Sequence, residues 1–230
     1  MINMLKNTKV SVWQIIAAIL LLAIGDWLAL SGIQILSPLS IFLYFIIFGI
    51  MALLVVLGWT NTKLLFGRLT LKNLKWIPFA FFGSFLCSIA FSLIGSALNL
   101  TSNAHSDGDM LLDDISMFEK GLNLVVMGFS LTGEEIYIAA MFTIVAIVML
   151  KRMNKKQALI VSAIVVMSIF GLTHLSVYEG NVYQCLFIIG LGHLPSMYAF
   201  LKSKTLWVPI IAHILYDFAI FFFVAFALSL

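Results

Sequence analysis

The chain has 230 residues, 63% of them apolar and only 10% charged, a balance that excludes a soluble globular domain and places it among integral membrane proteins. Its net charge of +3 and pI near 8.9 call for no nucleic-acid partner, because the bases fall between apolar runs, where they set topology in the lipid bilayer. Cys87 and Cys185 both lie inside apolar runs and give no disulfide framework.

A helix needs about 20 apolar residues to cross the hydrocarbon core. Stretches of that length cover residues 12–36, 39–58, 76–98, 122–150, 157–177, 182–201 and 206–228. They predict an all-α, polytopic bundle of about seven transmembrane helices. With no internal repeat, linker or low-complexity tract, residues 1–230 form one membrane domain, three spans in 1–121 and the rest in 122–230. Lys6 and Lys9 precede the first run, but that run is longer than a signal-peptide core and lacks a small-x-small cleavage site, so we expect an uncleaved span.

Bases recur in alternate connections: Lys6 and Lys9; Lys63, Arg68, Lys72 and Lys75; Lys151, Arg152, Lys155 and Lys156; Lys202 and Lys204. The remaining connections hold only Lys120, so the positive-inside rule predicts a cytoplasmic N-terminus and an outside C-terminus. Residues 62–76 interleave bases with Leu and Phe and are expected to lie along the inner headgroups as an anchor. The outer connection, residues 99–121, carries Asp107, Asp109, Asp113, Asp114 and Glu119. It reads as a solvated acidic loop, with a lid or a surface for cationic peptides as the functional alternative.

The chemistry centres on residues 133–142, GEEIYIAAMF, where Glu134 and Glu135 interrupt the apolar run 122–150. An acid at mid-span costs about 2.5–3.5 kcal/mol on insertion scales, so two of them demand a use. No lysine or arginine lies in an apolar segment to neutralise them. The available partners are His174, in Phe170-Gly-Leu-Thr-His174, and the pair His213 and Asp217, in His213-Ile-Leu-Tyr-Asp217. Each segment spaces its two named residues four apart, on one helix face.

Adjacent residues on a helix point about 100° apart, so one of the two glutamates must be primary. At roughly 1.5 Å per residue, Glu134 lies about 24 Å and His174 about 25 Å from the inner ends of their spans, while His213 and Asp217 count about 12 and 18 Å. Tilt or a shifted boundary has to reconcile the second pair with the first. A carboxylate stripped of water is a strong enough base to activate a water molecule, and imidazoles can donate to the oxyanion of a tetrahedral intermediate. An aspartate one turn from His213 could fix that ring's tautomer. Glu134, Glu135, His174, His213 and Asp217 are therefore the candidate catalytic residues. The chain has no HExxH motif and no short ligand spacing, so a site without metal or other cofactor is expected, with zinc as the alternative.

Two further polar residues are read as structural. His193, beside Pro195, is assigned to a helix–helix hydrogen bond or to a carbonyl freed by the proline. Asp26 is assigned to pairing with Trp27 or a neighbouring helix. Acids this costly also serve proton transport, but transporters tend to show paired repeats, and none is present here.

The three segments, in this order, resemble the CPBP family of intramembrane proteases, also called the Abi or CAAX-protease family, over about residues 125–225. Its pattern is Glu-Glu-x-x-x-Arg, Phe-x-x-x-His and His-x-x-x-Asn/Asp on separate helices. Here Ala139 stands in the arginine's place and Ile138 where an aromatic is usual. The resemblance implies Glu134 as water-activating base, Glu135 as its supporting acid, His174 and His213 as oxyanion or water ligands, and Asp217 as the residue orienting His213. It further implies an endopeptidase of a bacterial plasma membrane, acting on a peptide or membrane-protein substrate. A non-catalytic bacteriocin self-immunity or regulatory protein of the same fold is the alternative.

Overall fold

The computed structural model describes residues 1–31, 40–100, 102–103 and 116–228, and over these the chain is helical with no strand. A short helix α1 (Ile2–Asn7) leads into α2 (Val12–Leu30). The first turn of α2 is closed by a capping box, in which Ser11 Oγ accepts from Gln14 N at 3.2 Å and Gln14 Oε1 accepts from Ser11 N at 3.0 Å. Helix α3 (Ser40–Leu65) kinks at Gly58, whose φ of 70° and ψ of 169° suit glycine alone. A turn and the one-turn helix α4 (Leu71–Leu74) connect it to α5 (Trp76–Ala97).

Helix α6 (Met117–Leu150) begins five residues before the expected span because Ser116 and Glu119 form a second capping box. Glu119 is thus a cap. The other acids of that connection, Asp107, Asp109, Asp113 and Asp114, lie outside the described residues. Helix α7 (Lys155–Thr173) is capped by Asn154, whose Oδ1 accepts from Gln157 N at 3.0 Å. It stops four residues short of the predicted 177, which leaves His174 as its C-cap.

The span expected at 182–201 is built from three pieces: a π-helical turn Gln184–Gly190, a 3₁₀ turn Leu191–His193, and α8 (Leu194–Ser203). Pro195 in the first turn of α8 has no N–H to continue a preceding α-helix, so the chain changes winding before it. Ser88 on α5 donates to Ile188 O at 2.9 Å and so takes up one carbonyl of the irregular stretch. Helix α9 (Trp207–Leu228) ends the described chain. Among the described residues six helices are long and apolar enough to cross a membrane, and Trp207–Phe223 of α9 is a shorter apolar helix. This is the polytopic helical bundle the hydropathy predicts.

Helix α6 is the centre. Its apolar window is 78% buried, against 17% for the segment that includes α5, so α5 faces lipid while α6 is packed by α3, α7 and α9. Phe142, Ile147, Val166 and Met167 are fully buried around it. The basic connections gather at one end of the bundle. Burial, then Lys204 and Lys155, holds the Met1 amine below its ordinary range. Lys6, Lys9 and Lys151 line one recess. Thr205 Oγ1 donates to Gly67 O, and Leu206 N to Leu65 O, each at 2.8 Å. Away from these connections, Gln184 exchanges hydrogen bonds of 2.7 and 2.9 Å with the Asn103 backbone.

Candidate active site

Because α6 turns about 100° between neighbours, its two glutamates part company. Glu134 lines an interior cavity of about 290 Å³. Glu135 is 3% exposed and lies behind that wall. His193 Nε2 donates to Glu135 Oε1 at 2.7 Å. His213 Nδ1 lies 3.0 Å from the same oxygen, an ion-pair contact whose alignment falls short of a hydrogen bond, so this buried nitrogen has no hydrogen-bond partner among the described residues. A single carboxylate oxygen therefore gathers two imidazoles from α9 and from the turn that precedes α8.

Phe170 is the apolar hub of the cluster. Its ring centroid lies 4.9 Å from His174, 5.9 Å from His193 and 6.4 Å from His213, while the two latter imidazoles are 4.5 Å apart. His174 Nδ1 donates to Phe170 O at 3.0 Å, which fixes the ring across the last turn of α7 and makes Nε2 the acceptor of the neutral form. His213 Nε2 is 3.9 Å from Asp217 Oδ2, an ion-pair separation too long for a hydrogen bond.

Four of the five sequence-predicted residues, Glu134, His174, His213 and Asp217, line the one cavity, and the fifth, Glu135, supports His213 from behind. The depth count put His213 about 12 Å from the end of its span, yet it meets Glu135. Equal starting planes for α6 and α9 were the wrong premise. Because His213 on α9 meets Glu135 on α6, the two helices do not start at one level at the basic end of the bundle.

His193 and Asp26, the two polar residues read as structural, also line the cavity. His193 makes the helix–helix hydrogen bond assigned to it, but its partner is Glu135 and it lines the cavity. No motif spacing marks it; its place beside Pro195, where the helix changes winding, is the only signal. Asp26 on α2 also lines the cavity, and its Oδ1 is buried without a hydrogen-bond partner among the described residues, so the pairing expected for it is not made by that oxygen.

Ala139, where the family pattern has arginine, is 1% exposed in the apolar core, one turn from Glu135. His193 and His213 stand on Glu135 instead, so that carboxylate has partners without an arginine. The glycine in Phe170-Gly-Leu-Thr-His174 has a steric duty. A Cβ on Gly171 would strike the Cys185 carbonyl oxygen, and one on Gly190 the Met167 carbonyl oxygen. Helix α7 and the π turn thus touch backbone to backbone, which brings His174 and His193 to the same cavity.

The donor atoms of Glu135, His193 and His213 all lie within 4.8 Å of one another. Two imidazoles and a carboxylate are a set that zinc accepts, although 2.7 Å between His193 and Glu135 is the length of a charge-assisted hydrogen bond.

Residues 122–219 match the family model described as type II CAAX prenyl endopeptidase Rce1-like. No curated protein and no solved structure gives a significant match. That matched segment holds all three motifs, and its similarity is to the family that those motifs resemble.

Proposed function

We propose that this protein is a glutamate-type intramembrane endopeptidase that cleaves a peptide or membrane-protein substrate without metal. The observation that carries the proposal is the placement of Glu134 on a cavity inside the bundle, with His174, His193 and His213 on the same wall system. A carboxylate, a space for water and imidazole donors are the parts that amide hydrolysis needs.

In this scheme Glu134 takes a proton from a water held by His174 Nε2, and the hydroxide adds to the scissile carbonyl carbon. His213 donates to the resulting oxyanion, where fixed donors are worth most because no solvent has to reorganise. Glu134 then returns the proton to the amide nitrogen as the C–N bond breaks. Glu135 is a positioning residue: it holds His213 and His193 in place and touches no substrate. Asp217 adds negative charge beyond His213 Nε2.

The cavity is lined by Thr173, His174, Val177 and Tyr178, around and beyond the C-terminal end of α7. The basic α6–α7 connection is at the other end of that helix. With the N-terminus and the basic connections cytoplasmic, as the positive-inside rule gives in a bacterial plasma membrane, the site opens from mid-membrane toward the outside. That favours a secreted or membrane-inserted peptide as substrate.

The test is cleavage of a panel of host membrane peptides by purified protein in lipid, wild type against Glu134→Gln, with and without a chelator. Cleavage by wild type alone, insensitive to chelator, is the expected result. Loss of cleavage with chelator, restored by zinc, would assign Glu135, His193 and His213 to a metal instead. A cellular phenotype that persists in Glu134→Gln, with no cleavage by either protein, would make the chain a non-catalytic immunity or regulatory factor.

A further inference from the structure

The cavity that holds Glu134 reaches beyond the family-matched residues, to Asp26 on α2. A buried carboxyl oxygen without a partner costs about 1–3 kcal/mol, and an acid within a membrane span is expensive in its own right. Among the described residues Asp26 Oδ1 has no hydrogen-bond partner. Trp27, the neighbour expected to pair with it, is 60% exposed. An acid kept at such cost against a cavity is explained if an incoming group completes it.

The charge of that group follows from the lining. Asp26, Glu134 and Asp217 face the cavity, and among the described residues no lysine or arginine does. The arginine of the family pattern is replaced by Ala139, which is itself buried away from the cavity. A substrate carboxylate would meet no lysine or arginine of the described residues here, whereas an ammonium or guanidinium would find a carboxylate oxygen that has no hydrogen-bond partner among them. The wall also offers Tyr137, one turn along α6 from Glu134, with Phe45 edge-on to it at 5.3 Å between centroids. Such an aromatic surface accommodates the methylene stem of a lysine or arginine while its charged head reaches an acid.

We propose that Asp26 is a specificity-determining residue that binds a lysine or arginine side chain of the substrate peptide beside the Glu134 site. The proposal rests on the peptidase reading of this cavity and deepens it. The Rce1-like segment supplies the chemistry, and α2, outside that segment, selects the substrate by charge.

The probes are apolar peptides of about 20 residues with one lysine walked along the sequence, each matched by norleucine and glutamate versions. Binding is measured to Glu134→Gln protein in nanodiscs, and cleavage to wild type in the same lipid. At one or two registers the lysine peptide should bind at least about 10-fold tighter than its norleucine partner, as a hydrogen bond to a charged group gives. Adding Asp26→Asn should bring that ratio to within about twofold, Asp26→Glu should keep it, and Asp26→Lys should turn the preference toward glutamate. Asp26→Ser is a second neutral variant should Asp26→Asn not fold, and thermal unfolding is recorded for each. A lysine preference missing at every register, or one that survives both neutral variants, overturns the proposal. If selective binding and its loss are seen but wild type cleaves nothing, the peptidase reading fails while Asp26 stands as the cation-binding residue.

Discussion

Glu134 and Glu135 stand next to each other in sequence and do different work because the helix turns about 100° between them. One reaches the cavity, and the other ties two imidazoles together. Glu134→Gln should lower the cleavage rate by at least about 100-fold, the usual size of a general-base contribution, with the thermal unfolding midpoint little changed. Removing one partner of the Glu135 cluster is a different experiment, because it strands a buried charge. His193→Ala should destabilise the fold by about 3 kcal/mol, read as a lower unfolding temperature in detergent, and should weaken activity through the displaced His213. Of these residues the sequence shows the adjacent glutamates, by their place inside an apolar run, and the pairs spaced four apart, Phe170 with His174 and His213 with Asp217. His193 could not be read in the same way. Its contact with Glu135 spans 58 positions and depends on a π turn and a 3₁₀ turn that leave no hydropathy signal.

Among the elements, the irregular stretch from Gln184 to His193 does the most to place the site. Hydropathy finds its length, because any apolar run long enough reads as a span, but the change of winding is set by Pro195 and by contacts across the bundle. Gly171 and Gly190 let this stretch lie directly on the end of α7. Gly171→Ala should therefore cost about 2 kcal/mol of stability, as overpacking does, and should reduce cleavage at least about tenfold by separating His174 from His193. Gly180, where an added Cβ meets nothing, is the control, provided that its φ of +77° is kept by Asn and not Ala. The failed depth count has its cause in how whole helices are placed. Rise per residue is reliable within one helix, but the planes from which α6 and α9 start are fixed by packing, including the Leu206–Leu65 hydrogen bond.

At the scale of the molecule, the alternation of basic connections along the chain is matched by their meeting at one end of the bundle. That agreement was legible because charge placement and span count are both composition-level signals. The positive-inside rule then makes a directional prediction. A membrane-impermeant thiol reagent added outside intact cells should label Ser176→Cys, on the exposed turn after α7, and not Met153→Cys, in the basic α6–α7 connection. The reverse pattern would invert the topology and turn the cavity toward the cytoplasm. The central claim is chemical and has a direct measurement. Wild-type protein in lipid is incubated with a cleavable membrane peptide in ¹⁸O-labelled water, and the new C-terminal carboxylate is weighed by mass spectrometry. Hydrolysis by Glu134-activated water predicts label in that carboxylate at the rate of cleavage, and none above background with Glu134→Gln. Labelled product formed as fast by Glu134→Gln as by wild type would contradict the account.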